Sequence, residues 1–288
     1  MSFMAGIDLH MHSTASDGTL TPSELAKSVA AKGLKAAALT DHDTVAGVAE
    51  FKKECERLGV EAVSGVEISA KYKTEMHILG LFVDENNAQL VEKLDELKTT
   101  RKNRNAEMLA LIQKNGFDIT AEDIIGQKNG GLLENTGRAH MAKAFVKKGY
   151  ADSVQDAFDK YLSKGKSCYI SRKLFTPEES IKLIKDAGGI AVLAHPYFIT
   201  KDKDELYELL SWLRKLGLDG VESWYSEYPT EYRDLCLEMC EKLDLMPTGG
   251  SDFHADNKPD IKIGEACGGF EIPYELFENL KKVKLERN

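Results

Sequence analysis

Two histidines, His10 and His12, stand two residues apart in "GIDLHMHSTASDG", with Asp17 five positions further on. Imidazole and carboxylate groups are the donors that borderline metal ions take. In an extended strand side chains alternate, so His10 and His12 share a face and both imidazoles can reach one cation. The same residue types recur along the chain: His42 in "LTDHDT", Glu67 in "SGVEIS", His77 in "EMHILG", His195 in "VLAHPY", and Asp252 with His254 in "GGSDFH". Six of the seven histidines fall at or near the end of a strand-like run, beside acidic residues. A single histidine in such a place is ordinarily a hydrogen-bonded side chain. The whole set is hard to attribute to chance, and its mixed donors suit zinc, manganese or iron with positions left open for water and substrate.

Elements must bring these residues together. Short β-rich runs ("AGIDL", "KAAAL", "EAVSGVEI", "MHILGLFV", "GIAVLA", "GVESW", "LMPTGG") alternate with helical patterns, the rhythm of an α/β fold with a mostly parallel sheet. Two helix starts are marked by an N-cap, a first-turn proline and a glutamate three residues after the cap: Thr21-Pro22-Ser23-Glu24 and Thr176-Pro177-Glu178-Glu179. In a parallel α/β barrel the C-terminal strand ends meet at one mouth, so residues distant in sequence can share a cavity. The rhythm breaks between about residues 100 and 172, where "RKNRNAEMLALIQKNGFDI", "GRAHMAKAFVKKGY" and "SVQDAFDKYLSKG" read as consecutive helices. This predicts a barrel from residues 1–99 and 173–288 with a helical insertion, 100–172, that contributes to substrate binding. No repeat or low-complexity linker interrupts the chain, so the insertion is expected to pack on its parent domain.

The 288 residues suffice for one large domain or two small ones. No apolar run reaches the ~18 residues of a membrane span, and the N-terminus lacks the pattern of a secretory signal. Cytoplasmic residence without membrane association is expected. The five cysteines, Cys55, Cys168, Cys236, Cys240 and Cys267, contain no CxxC pair, so neither a disulfide framework nor a thiolate zinc site is indicated. Cys236 and Cys240, one helical turn apart, read as ordinary core thiols. A net charge of −9 argues against broad binding to nucleic acid, while a small anionic substrate is compatible if metal ions supply local positive charge.

In order along the chain, HxH with a following Asp, TDHD, a Glu after a strand, an isolated His, AHP and a closing DxH resemble the PHP (polymerase and histidinol phosphatase) superfamily, from Asp8 to His254. The resemblance covers almost the whole chain and implies a distorted (β/α)7 barrel with a trinuclear metal site. It is nearest to the stand-alone nucleotide phosphoesterases, meaning 3′,5′-nucleotide bisphosphate phosphatases and 5′ to 3′ exoribonucleases of the RNase AM type. Those carry a helical insert with segments similar to Thr136-Gly137-Arg138-Ala139-His140 and to Lys160-Tyr161-Leu162-Ser163-Lys164-Gly165-Lys166. Carried over by motif, one metal would take His10, His12, Glu67 and Asp252, a second Glu67, His77 and His195, and a third Asp17, His42 and His254. Arg138 and His140 would bind a substrate phosphate, where a planar guanidinium can grip two oxygens. Asp17, Asp252 and His254 would stand at the reacting ester, with His254 or a metal-bound water as the leaving-group acid.

The chemistry so implied is attack on phosphorus by a water that clustered cations acidify, with no protein nucleophile. The sequence has no GxSxG elbow, and "GKS" at Gly165 to Ser167 lacks the upstream glycine of a P-loop. Asp41 and Asp43, flanking His42, are candidates to orient ligands or water. Among rival readings, a C–N bond hydrolase would want a strand-borne lysine, and no predicted strand ends in one. A nucleic-acid-binding module would rest on "KTTRKNRN" and "KAFVKKGY", which lack a neighbouring aromatic platform. A degenerate, structural PHP domain would have lost ligands, and none is missing. The expected activity is phosphoester hydrolysis, foremost removal of the 3′-phosphate from nucleoside 3′,5′-bisphosphates. Short 5′-phosphorylated RNA comes next and histidinol phosphate after it. The expected partners are divalent metal ions and a small phosphorylated substrate, with no stable protein partner implied.

Overall fold

A computed structural model describes residues 6–73, 75–126, 132–133 and 136–287. Ala5, the first residue of the first strand candidate, lies outside the described residues. The elements run β1 (Ile7–Asp8), α1 (Pro22–Lys32), β2 (Ala36–Leu39), α2 (Val48–Arg57), β3 (Glu61–Lys71), β4 (Glu75–Leu81), α3 (Ala88–Lys114), α4 (Ala121–Ile125), α5 (Arg138–Lys147) and α6 (Val154–Ala157). They continue with α7 (Pro177–Asp186), β5 (Ile190–Leu193), α8 (Lys203–Lys215), β6 (Gly220–Tyr225), α9 (Thr230–Leu243), β7 (Met246–Gly250), β8 (Glu265–Ala266), β9 (Phe270–Glu271) and α10 (Tyr274–Glu286). The chain divides into two compact units, Met1–Leu94 with Leu174–Asn288, and Asp95–Lys173.

The first unit is a seven-stranded barrel of order β1-β2-β3-β4-β5-β6-β7. Pairs β1/β2, β2/β3, β5/β6 and β6/β7 are parallel, and β4 runs antiparallel to both neighbours. The reversal follows from length: residues 72–74 join β3 to β4, far too short for the crossover that a parallel neighbour requires. β2 ("AAAL") and β5 ("IAVL") are buried at every position, as interior strands covered on both faces must be. The barrel closes where Leu9 N donates to Gly249 O at 3.2 Å and Asp252 N to His10 O at 2.8 Å. Gly250 permits this approach, since a Cβ there would lie 2.2 Å from His10 Cβ.

Both marked helix starts form. Thr21 and Thr176 each accept from the N–H of the residue three positions on, and Glu24 and Glu179 accept in return from the cap N–H. Strand β3 is longer than expected and ends in Lys71, so the expectation that no strand ends in lysine is wrong. Extension of the β3/β4 hairpin pairs Lys71 with Glu75 at its outer end, where the lysine is exposed. Among the described residues no helix is long and apolar enough to cross a membrane.

The second unit is helical and has a core of its own around Met108, Ile112, Met141, Phe145 and Leu162. Phe117 meets Phe145, Tyr150 and Tyr161 edge-on with ring centroids 4.8–5.1 Å apart.

Candidate metal centre

Each strand of the barrel delivers a side chain to one cluster. His10 and His12 follow β1, His42 follows β2, Glu67 lies on β3, His77 on β4, His195 follows β5, Glu222 lies on β6, and Asp252 with His254 follow β7. Regular pairing of β1 stops at Asp8, but the backbone stays tied on both sides, through Thr40 N to Met11 O at 2.9 Å and His12 N to Phe253 O at 3.0 Å. His10 and His12 therefore keep the common face expected of a strand, with ring centroids 5.2 Å apart. On the β3/β4 hairpin Glu67 pairs with Leu79 and Ser69 with His77, making Glu67 and His77 diagonal neighbours on one face.

Glu67 is the hub. Its Oε2 lies 3.5 Å from His10 Nε2, 3.3 Å from His12 Nε2 and 2.8 Å from His42 Nδ1. Its Oε1 lies 2.9 Å from His77 Nδ1 and 3.0 Å from His195 Nε2. Asp252 Oδ1 faces His10 Nε2 at 3.5 Å and His12 Nε2 at 3.2 Å. Asp17 stands beside His254 Nε2 at 3.1 Å and His42 Nε2 at 3.8 Å. Within 4.8 Å of one another fall the donor atoms of His12, Asp17, His42 and His254, of His10, His12 and Glu67, of His10, His195 and Asp252, and of His42, Glu67 and His77. All nine barrel residues singled out in the sequence are thus brought together. No cysteine belongs to these groups among the described residues, and Cys236 and Cys240 are buried free thiols.

The donor set fits divalent cations. His10 Nε2, His12 Nε2, His42 Nδ1 and Glu67 Oε2 are buried, face one another and make no hydrogen bond. Buried polar atoms without partners are costly, and a cation among them would satisfy all four. The outer nitrogens are fixed by other groups. His10 Nδ1 meets Glu222 Oε1 at 2.9 Å and His254 Nδ1 meets the Asp252 carbonyl at 2.8 Å, so in each ring Nε2 is the atom left for the cluster.

Charge in the cluster is held in common. Burial works against a charged imidazole, but the adjoining carboxylates outweigh it and push His12 up to about 9 and His77 up to about 10. For His42 burial prevails and lowers it to about 4. Burial likewise opposes ionised Glu67, Asp17 and Asp252, yet the imidazoles around the first two, and Lys258 followed by His10 beside the third, hold all three well below the ordinary carboxylate range.

Some participants were not visible as such in the sequence. Glu222, fully buried on β6, holds His10 and accepts from His195 N at 2.8 Å through its other oxygen. The signal was a carboxylate inside the apolar run "GVESW". Lys258 Nζ at 2.5 Å and Tyr225 OH at 2.8 Å both donate to Asp252 Oδ2, leaving Oδ1 toward the histidines. Asp41 and Asp43, candidates to orient ligands or water, brace the loops that carry cluster residues, and Asp41 reaches His12 through Ser16, whose Oγ lies 3.4 Å from His12 Nδ1. Asp41 accepts from Ser13 N at 2.7 Å and Ser16 Oγ at 2.5 Å, and Asp43 from Ser69 N at 3.0 Å. His195 and Asp252 adopt φ of 29° and 57°, left-handed values costing such residues about 1–3 kcal/mol each that the surrounding bonds must offset.

Arg138 and His140 belong to the helical unit and open α5. His140 Nδ1 accepts from Gly137 N at 3.2 Å, capping the helix, and the Arg138 guanidinium lies 5.9 Å from the Phe158 ring centre and 5.8 Å from that of Tyr169.

The PHP domain family model matches residues 8–171, more than half of the chain. The chain belongs to the PHP domain family. This PHP protein is 33% identical to a 5′-3′ exoribonuclease of Haemophilus influenzae over 86% of its own length and 89% of the relative's. It is 31% identical to a 3′,5′-nucleoside bisphosphate phosphatase of Chromobacterium violaceum, with 91% of each chain covered. Among solved structures, a protein of Chromobacterium violaceum described as an amidohydrolase, with sulfate bound and no metal, superposes with a TM-score of 0.83 at 29% identity over 96% of both chains. A protein of Bifidobacterium adolescentis described as a metal-dependent phosphoesterase gives a TM-score of 0.80 at 31% identity over 99% of this chain and 96% of that one. The PHP barrel expected from the motif order is the fold observed.

Proposed function

We propose that this PHP domain hydrolyses nucleotide phosphoesters with the help of divalent cations, and that its foremost substrate is a nucleoside 3′,5′-bisphosphate, which loses its 3′-phosphate to leave the 5′-monophosphate. The observation that carries the proposal is the convergence of unpartnered, buried nitrogen and carboxylate atoms from around the barrel onto Glu67. The activities named for the two relatives narrow the ester to a nucleotide or an RNA. We place three ions here, manganese, zinc or iron, held by His10, His12, Glu67 and Asp252, by Glu67, His77 and His195, and by Asp17, His42 and His254. Bound there, such ions would acidify water and neutralise charge developing on phosphate oxygens.

The chain's own residues account for the rest. Glu222 and the Asp252 carbonyl keep His10 and His254 in the tautomers that present Nε2 inward. Lys258 and Tyr225 fix Asp252. His42, His77 and His195 are 12–20% exposed while His10, His12 and Glu67 are sealed, so substrate approaches from the His77 side. In the helical unit Arg138, with His140 beside it, would take the second phosphate, because a guanidinium offers paired donors to a phosphate. The buried free cysteines fit a reducing compartment, consistent with cytoplasmic residence. A second reading, stepwise hydrolysis of short 5′-phosphorylated RNA, is favoured by the exoribonuclease relative and uses the same groups.

The test is product release by manganese-loaded protein from adenosine 3′,5′-bisphosphate, 5′-AMP, histidinol phosphate and a short 5′-phosphorylated RNA, with His195→Ala as control. Preferential conversion of the bisphosphate to 5′-AMP is the expected result. Mononucleotide release from RNA alone would install the second reading. Full turnover by His195→Ala would remove the assigned centre from the chemistry.

A further inference from the structure

Directly after His195 the chain makes a single 3₁₀ turn, Pro196–Phe198, opened by proline and closed by Phe198 N donating to His195 O at 3.2 Å. The turn sets Phe198 against the cluster. Its ring centre lies 5.8 Å from that of His195 and 5.9 Å from that of Tyr225, whose hydroxyl holds Asp252. Tyr197 supports the ring from a third side at 5.9 Å. All three contacts are steeply inclined, between 61° and 83°, so among the described residues no ring is stacked on Phe198. The side chain nevertheless stays 54% exposed.

Scattered apolar residues on a surface need no special account. Phe198 is different because of where it is held. Of the large exposed hydrophobic side chains among the described residues, it is the one in ring contact with a residue of the metal cluster. The residues that follow it, Ile199 and Thr200, line a cavity of about 530 Å³ together with Tyr72 and Trp212. This ring stands within reach of the remainder of a phosphoester gripped beside His195. In a nucleotide that remainder is a sugar carrying a planar heterocycle, and an exposed, rigidly supported aromatic ring is a surface on which any base can stack.

We propose that Phe198 is the stacking platform for the nucleobase of the substrate, an inference that rests on the nucleotide phosphoesterase reading above. It makes the enzyme selective for base-bearing phosphoesters over base-free sugar phosphates of equal charge, and tolerant of base identity.

The experiment measures binding of 5′-AMP and of ribose 5-phosphate to the manganese-loaded full chain by calorimetry, for the wild type, Phe198→Ala, Phe198→Leu and Phe198→Trp. Phe198→Ala is expected to weaken 5′-AMP about tenfold and leave ribose 5-phosphate unchanged. Leucine should restore little and tryptophan most of the affinity. Unchanged 5′-AMP binding in Phe198→Ala, equal losses for both ligands, or no measurable 5′-AMP binding by the wild type would each overturn the platform. Phosphate release from adenosine 3′,5′-bisphosphate by the wild type reports separately on the phosphoesterase reading. Absent release with Phe198-dependent binding rejects that reading alone, and release with Phe198-independent binding rejects the platform alone.

Discussion

Glu222 shows what a carboxylate behind a donor histidine does. It binds His10 Nδ1 and the His195 backbone N–H at once, so it sets both the tautomer of one cluster residue and the strained backbone of another. Glu222→Gln keeps the shape but loses the charge that holds a proton on Nδ1. Metal affinity is expected to fall about 10- to 100-fold with far-ultraviolet circular dichroism unchanged, and wild-type affinity would show that Glu222 is only a buried spacer. The pKa pattern makes a second claim at this scale. Because neighbouring carboxylates raise His12 to about 9 and His77 to about 10, both carry protons near neutral pH until a cation replaces them. Manganese uptake at about pH 7.5 should therefore release protons, and affinity should strengthen as pH rises. Calorimetric titration in two buffers of different ionisation enthalpy measures this, and identical heats in both would refute it.

At the scale of elements, Asp219 ties the barrel wall together. Its carboxylate takes Lys185 of α7 at 2.8 Å, Arg287 beyond α10 at 2.6 Å and the Ala191 N–H of β5 at 2.9 Å. Burial raises its pKa, but Arg287 and Lys185 outweigh that and hold it below the usual 3.8. A depressed carboxylate adds its full stability above its unfolded pKa and loses it as pH falls from there through the lower folded value. Asp219→Ala should cost about 1–3 kcal/mol at neutral pH, and the difference should shrink toward about pH 3. Urea unfolding at both pH values checks it, and an equal gap at each would mean that the ion pairs contribute nothing. Much at this scale was legible beforehand. Thr21 and Thr176 announce their helices because capping is local, satisfied within four residues. The reversed direction of β4 was not read, although the short link between the "EAVSGVEI" and "MHILGLFV" runs requires it. The extension of β3 to Lys71 was hidden as well, because hairpin pairing, not composition, carries the strand outward.

For the molecule as a whole, the proposed discrimination between one phosphate and two can be tested in each unit separately. The barrel carries the candidate metal donors and the helical unit carries Arg138. Arg138→Ala should raise KM about tenfold for adenosine 3′,5′-bisphosphate while altering a substrate with a single phosphate little. Equal losses on both would deny the guanidinium a role in binding the second phosphate. The nine barrel residues were legible from amino-acid order, because histidine and carboxylate groups at the ends of apolar runs are chemically conspicuous and their order matches a known pattern. Glu222 has the same chemistry as Glu67 and stood unread, since a glutamate within a strand points to the cluster or away from it according to pleat and register, and pairing with neighbouring strands sets both. Phe198, Lys258 and Tyr225 are ordinary residue types whose importance is purely one of place. Residue chemistry and local periodicity are written one position at a time and can be read in order. Which oxygen of Glu67 meets which imidazole, and which ring is left facing solvent beside them, depends on closing seven strands into a barrel, a long-range event that sequence order does not display.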